Sequence, residues 1–479
     1  MTLGGAILAR AWTRLGPQFL PFADAATPEL PVGRLMRLSL FQVSVGLAAA
    51  LLIGTLNRVL IVELGVSAGL VAAMVSLPLL FAPFRALIGF RSDTHRSVLG
   101  WRRVPYIWFG SLMQFGGLAI MPFALILLSG DSNGPVWAAH VAAALAFLLV
   151  GAGMHMVQTV GLALAADLAP PRSLPRVVAL LSVMLLLGML VAGLLFGALL
   201  MEFSQLRLIQ VIQGSAVATM LLNIVALWKQ EARDPSRTRG RGDGPGFMES
   251  WRQLRGTGPW RRRLVAVALG TAGFSMQDVL LEPYGGQVLG LGVAATTTLT
   301  ALFALGGIIG FIGGARAIGR DVDAYRVAGT GTLLGALAFA LVIFAAPMES
   351  AVVFGVGTLA VGLGAGCFAH ATLTAFMTAA PQGQVGLALG AWGAAQATAA
   401  GVAIAMGGFL RDGIAALADA GGLGAALITP ATSYCTVYGI EIVMLFATLV
   451  ALGPLVQWAR VDQARLPSRF GVAESRTAP

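Results

Sequence analysis

Apolar runs dominate the chain, recurring at 38–64, 70–90, 104–129, 136–166, 177–201, 206–229, 263–286, 294–316, 327–346, 350–378, 384–410 and 433–459. A helix needs about 20 residues to cross the hydrocarbon of a bilayer, and at that depth each backbone polar group must be satisfied within its own segment. The pattern predicts an all-α polytopic membrane protein with 12 transmembrane helices. Composition agrees: 57% of the residues are hydrophobic, 11% are charged and the mean hydropathy is +0.83, more apolar than a soluble domain sustains. The two cysteines, Cys367 and Cys435, fall in apolar runs, which reads as small core residues rather than a disulfide framework.

Most of the charge lies in the connections. Two of these are long: a basic, Gly/Pro-rich linker over 230–262 and a loop from about Arg411 to Thr432. The linker and its edge carry Arg233, Arg237, Arg239, Arg241, Arg252, Arg255 and the run Arg261 to Arg263, and divide six runs from six. Threading the runs through a membrane puts every basic residue except Arg58, Arg207 and Arg411 on one side. By the positive-inside rule both termini are then cytoplasmic, and the net charge of +10 needs no nucleic acid partner. The expected organisation is a cytoplasmic segment (1–37), a six-helix bundle (38–229), the linker (230–262), a second six-helix bundle (263–460) and a cytoplasmic tail (461–479). Around Ala6–Leu20, Arg10 and Arg14 lie one turn apart among apolar residues, as in an interfacial helix. No uninterrupted apolar stretch with a small-residue cleavage site follows them, which argues against a signal peptide.

Within the first run, Gly54–Gly65 reads GTLNRVLIVELG and places Asn57, Arg58 and Glu63 at membrane depth. A guanidinium there costs roughly 2.5–3.5 kcal/mol on insertion scales and marks a partner or a polar cavity. The seventh run repeats the motif: MQDVLLEPYG at Met276–Gly285 sets Gln277 over Asn57, Asp278 over Arg58, Val279 over Val59 and Gly285 over Gly65. Two six-helix halves that echo each other, joined by a cytoplasmic linker, are the plan of the major facilitator fold. The loop after the second run resembles that fold's signature, with Gly89, Asp93, Gly100, Arg102 and Arg103 in order; Asp93 is expected near a helix N-terminus and the arginines on lipid headgroups. Gly313, Gly314, Arg316, Arg320, Asp321 and Arg326 echo it in the second half.

Equivalent helices face each other across the central cavity of such a fold, so Arg58 and Asp278 are expected at one depth, with Glu282 one turn beyond Asp278. The polar cluster of Asn57, Arg58, Glu63, Gln277, Asp278 and Glu282 has two readings: a cavity that binds a ligand, proton or polypeptide, or an ion pair that fastens the halves. His95 and His140 read as surface or interfacial residues. His155, after Gly151-Ala-Gly153, and His370, after Gly364-Ala-Gly366, occupy equivalent runs. A neutral imidazole in lipid can ligate a metal or a chlorin magnesium, with the glycines leaving room for a flat macrocycle. The alternative is a histidine hydrogen-bonded between closely packed helices. No Ser-His-Asp order, phosphate-binding Gly loop, HExxH or CxxC occurs, and the one lysine is Lys229, so no enzyme is expected.

The segments GTLNRVLIVELG (Gly54–Gly65), SMQDVLLEPYGGQVLGL (Ser275–Leu291) and QFLPFADAATPELPVGRLMRLSLFQVSVG (Gln18–Gly46) resemble the bacteriochlorophyll-delivery branch of the major facilitator superfamily. These are the PucC-type and LhaA-type assembly factors of purple photosynthetic bacteria. The resemblance implies a protein of the inner or intracytoplasmic photosynthetic membrane that handles bacteriochlorophyll, with carotenoid as a further pigment, and chaperones light-harvesting antenna polypeptides. It extends the partners to the reaction centre and to pigment-synthesis or membrane-insertion machinery. The N-terminal segment points to the core antenna, light-harvesting complex 1. A proton-coupled transporter of a small solute and a structural scaffold of the membrane stand as alternatives.

Overall fold

The structure, a computed structural model, describes residues 30–80, 88, 92, 101–129, 135–170, 173–231, 247–256, 258–380 and 385–465. Twelve helices carry the two halves. The first half holds α1 (Val32–Glu63), α2 (Ala68–Leu80), α3 (Val104–Leu128), α4 (Val136–Leu168), α5 (Leu174–Leu199) and α6 (Gln205–Leu227). The second holds α7 (Trp260–Gln287), α8 (Val293–Gly319), α9 (Ala324–Ala345), α10 (Ala351–Ala379), α11 (Val385–Asp419) and α12 (Pro430–Arg465). Eleven helices are long and apolar enough to cross a membrane; α2 is the shorter apolar helix at the second expected crossing. The protein is a multi-pass membrane protein, and no strand occurs among the described residues.

Helix ends follow local chemistry. Ser204, Asp323 and Ser350 each accept a hydrogen bond from the backbone N–H three residues on and so cap α6, α9 and α10. After α1 and α7 the chain turns through Gly65 and Gly290, both at φ +65°, a conformation that a side chain disfavours. Three expected boundaries move. α1 begins at Val32 and α12 reaches Arg465, each entering a segment expected to lie outside the membrane. α11 runs through Arg411 and Asp412 to Asp419, where a loop was expected, because both side chains find partners on neighbouring helices. The expected interfacial helix and residues 232–246 of the linker lie outside the described residues, and the linker contributes a short helix, Phe247–Gly256.

Packing repeats between the halves. α1 rests on α5 and α6 as α7 rests on α11 and α12; α3 contacts α4 and α6 as α9 contacts α10 and α12; α2 contacts α4 as α8 contacts α10. The halves meet along α2–α11 and α5–α8. Between helices in lipid the attraction is close packing rather than hydrophobic exclusion, so small residues line the seams. A Cβ on Gly306, Gly310, Gly362 or Gly366 would overlap a backbone carbonyl across the α8–α10 seam. Between the halves, a Cβ on Gly193 would meet the backbone nitrogen of Ala301, and one on Gly408 the Ala72 side chain and the Ala68 carbonyl.

Candidate functional site

The first motif changes the winding of its helix. α1 is wound as a π-helix over Ala50–Leu56 and again over Val59–Glu63, and the Leu64 N–H donates to the Val59 carbonyl five residues back, at 3.0 Å. In an α-helix, residues five apart lie about 140° around the axis. A π-turn, closed from i to i+5, brings them to one side. Arg58 and Glu63 are so spaced, and Nη1 of Arg58 sits 2.9 Å from Oε1 of Glu63. Arg58 is otherwise buried: Nη2 donates to the Leu291 carbonyl at 3.3 Å, and the guanidinium lies where a side chain at Gly286 would be. Of the two readings of the cluster, an ion pair of Arg58 with Asp278 between the halves is not the one made: Arg58 pairs with Glu63. Equal register fixes depth but not rotation about the helix, and the π-turns rotate Arg58 toward its own carboxylate.

α7 is distorted at the same motif, in the opposite sense. The segment Met276–Val279 tightens into a 3₁₀ turn before the α-helix resumes at Leu281. Asn57, rather than Arg58, reaches across: its Nδ2 donates to the Asp278 carbonyl and to Oε2 of Glu282, both at 3.4 Å. Thr300 donates to the other Glu282 oxygen at 2.9 Å. Gln277 donates through its backbone N–H to Glu441 at 2.8 Å and through its side chain to Asp278. Glu441 on α12 is fully buried, and its second oxygen has no hydrogen-bond partner among the described residues. The sequence carries a signal for it, since Glu441 is the one carboxyl in the run 433–459.

These side chains border a cavity of about 230 Å³ between the halves, lined by Gln277, Asp278, Glu282, Thr300 and Gln396 among apolar residues of α1, α5, α8 and α10. None of its lining residues is basic. The expected cluster is therefore divided between the Arg58–Glu63 ion pair and the cavity that Asp278 and Glu282 line. Beyond the ion pair the halves are joined again. Asp412 of α11 accepts from the Ala68 and Gly69 N–H groups at 3.3 and 2.6 Å and caps α2. Arg411 donates to Gln287 at 2.6 Å and lies over the Tyr434 ring, whose hydroxyl also donates to Gln287.

The cytoplasmic loop motif is only partly visible: Gly89, Asp93 and Gly100 lie outside the described residues. Arg102 and Arg103, expected on lipid headgroups, both bind Asp167 at the end of α4, at 2.7 and 2.9 Å. Glu231 accepts from the N–H groups of Arg102, Arg103 and Val104 and so caps α3.

A family profile described as PUCC protein matches residues 55–459, from within the α1 motif through α12. The chain belongs to the PucC family. Protein PucC of Rhodovulum sulfidophilum is 59% identical over 407 residues, covering 84% of this chain and 89% of that protein. An uncharacterized protein of the puhA-bchM intergenic region of Rhodobacter capsulatus is 55% identical over 446 residues, covering 92% and 93%. Among solved structures, a bacterial homologue of the iron transporter ferroportin in its inward-facing state superimposes with a TM-score of 0.63 at 15% identity, covering 89% of this chain and 99% of that one. This likeness establishes the major facilitator fold.

In this PucC-family chain the two histidines lie apart from the cavity. His370 packs against Phe311 of α8, ring centroids 4.4 Å apart, and its buried Nδ1 has no hydrogen-bond partner among the described residues. His155 is half-buried on α4. The neighbouring glycines leave no space for a macrocycle: Gly364 and Gly366 are filled by the backbones of α9 and α8, Gly151 by Pro78 and Gly153 by the backbone of α3. The glycines serve close helix packing, the alternative weighed for them. Among the described residues no group of three or more His, Cys, Asp or Glu could hold a metal ion.

Proposed function

We propose that this chain is an assembly factor for a light-harvesting antenna, light-harvesting complex 1, which takes up bacteriochlorophyll and antenna polypeptides from the lipid side. Membership of the PucC family and the resemblance of Gln18–Gly46 favour the antenna role. The observation that carries the lipid-side reading is the contrast between the interior and the outer face. The interior cavity, about 230 Å³, is smaller than the roughly 300–1,000 Å³ of sites for drug-sized ligands. On the outer face of α11, Val402, Met406, Phe409, Gly413 and Leu417 form a shallow, open apolar groove along the one helix. A pigment with a long isoprenoid tail is too apolar to cross water, and a groove reached from lipid receives it without an aqueous step.

The reading is tested by the absorption spectrum of gently solubilised protein. Bacteriochlorophyll is expected to copurify, to fall several-fold in the double variant Met406→Asn with Leu417→Asn, and to persist in His370→Phe. A colourless wild-type preparation, together with normal antenna in a deletion strain, contradicts it. A second reading, a proton-coupled transporter of a small solute, is favoured by the carboxyls and amides of the interior cavity. It predicts saturable solute flux that Asp278→Asn abolishes while antenna yield is unchanged.

A further inference from the structure

Three arginines are buried among the described residues: Arg58, Arg103 and Arg263. Arg58 has Glu63 and Arg103 has Asp167. Arg263 has no carboxylate and no hydrogen-bond acceptor among the described residues; it is 7% exposed and its Nε is buried and unpartnered. A buried guanidinium without an anion is among the costlier arrangements a protein can hold, so the local structure is organised for an anion supplied from outside.

The surroundings fit one. Arg263 lies in the first turn of α7 and folds back over it: its guanidinium carbon is 5.0 Å from the centre of the Trp260 ring, and Nη1 lies beside Gly258, just ahead of the helix. The N-cap of α7 is Pro259, which offers no side-chain acceptor; the Trp260 N–H turns back to the Gly258 carbonyl at 2.8 Å, and no side chain caps the positive end of this long helix at the same place. A guanidinium fork and helix N–H groups converging on one spot suit the oxygens of a phosphate. The linker helix Phe247–Gly256 walls the site, with Leu254 fully buried against Trp260, Phe376 and Ala388. Arg261 and Arg252 are exposed beside it, while Arg262 is tied to the Val450 and Ala451 carbonyls of α12.

We propose that Arg263 and the α7 N-terminus bind the phosphodiester headgroup of an anionic phospholipid. A lipid is chosen over a soluble phosphate because the site sits at the first turn of a membrane span, where headgroups lie and acyl chains can run along the helix. Bound there, the lipid links the linker helix to the second half. This assignment is independent of the proposed antenna role.

The test uses the full chain in nanodiscs of phosphatidylcholine with a minor fraction of phosphatidylglycerol, and counts anionic lipid retained after detergent extraction by mass spectrometry. Arg263→Gln is expected to retain several-fold less phosphatidylglycerol than wild type, and the exposed control Arg320→Gln as much as wild type. Equal retention by Arg263→Gln overturns the proposal. Displacement of the lipid by millimolar inorganic phosphate overturns the choice of lipid. If Arg263→Gln does not fold, the wild-type protein still decides: added phosphatidylglycerol is expected to raise its melting temperature over phosphatidylcholine alone, as a ligand specific to the folded state does, and no rise overturns the proposal.

Discussion

α1 and α7 hold the same motif at the same register in the two halves, and they solve the problem of burying charge differently. α1 takes up π-turns and satisfies Arg58 from within, through Glu63 five residues on. α7 tightens its backbone and leaves Asp278 and Glu282 facing a cavity, with amide and hydroxyl donors and no basic side chain lining it. Duplication preserved the position of the polar residues but not their partners. The first half has a neutralised pair, the second a receptive acidic surface.

The largest expected effect breaks the α1 solution from the α7 side. Gly286→Val places a side chain on the Arg58 guanidinium and displaces it from both Glu63 and Leu291. Stranding a buried charge in this way costs about 3 kcal/mol or more, and thermal unfolding in detergent should show loss of the folded protein. Glu63→Gln should cost less, about 1–2 kcal/mol in the same measurement, because Glu63 is 39% exposed and water screens the pair. Asn57→Ala removes two long hydrogen bonds between the halves; at about 0.6 kcal/mol for a typical hydrogen bond within a membrane, a melting-temperature drop of a few degrees at most is expected. Glu282→Gln is the smallest. The amide keeps an oxygen for Thr300 and gives up only the 3.4 Å contact from Asn57, and no ion pair is lost, so stability should stay within about 0.6 kcal/mol of wild type.

Much of the fold was legible because it is written in apolar length. The runs 104–129 and 206–229 match α3 and α6 closely, and the division at the linker follows from its arginines. The rotation of the helices about their axes was not legible. The π-turns that turn Arg58 toward Glu63 leave no mark in a sequence read at a period of 3.6 residues. Arg411 and Asp412 looked like a loop because their partners, Gln287 and the N-terminus of α2, are distant in the chain. Glu441 was visible as a lone carboxyl but had no repeat partner to draw attention to it. Gly364 and Gly366 declared closeness correctly, though what comes close is another helix rather than a flat ligand.

A double-mutant cycle on unfolding free energy tests most directly whether each half settles its own charge. Replacing Arg58 by Met together with Glu63 by Gln should show a coupling of about 1 kcal/mol or more, while Arg58→Met with Asp278→Asn should be additive. Strong coupling between Arg58 and Asp278, with none between Arg58 and Glu63, would contradict the account.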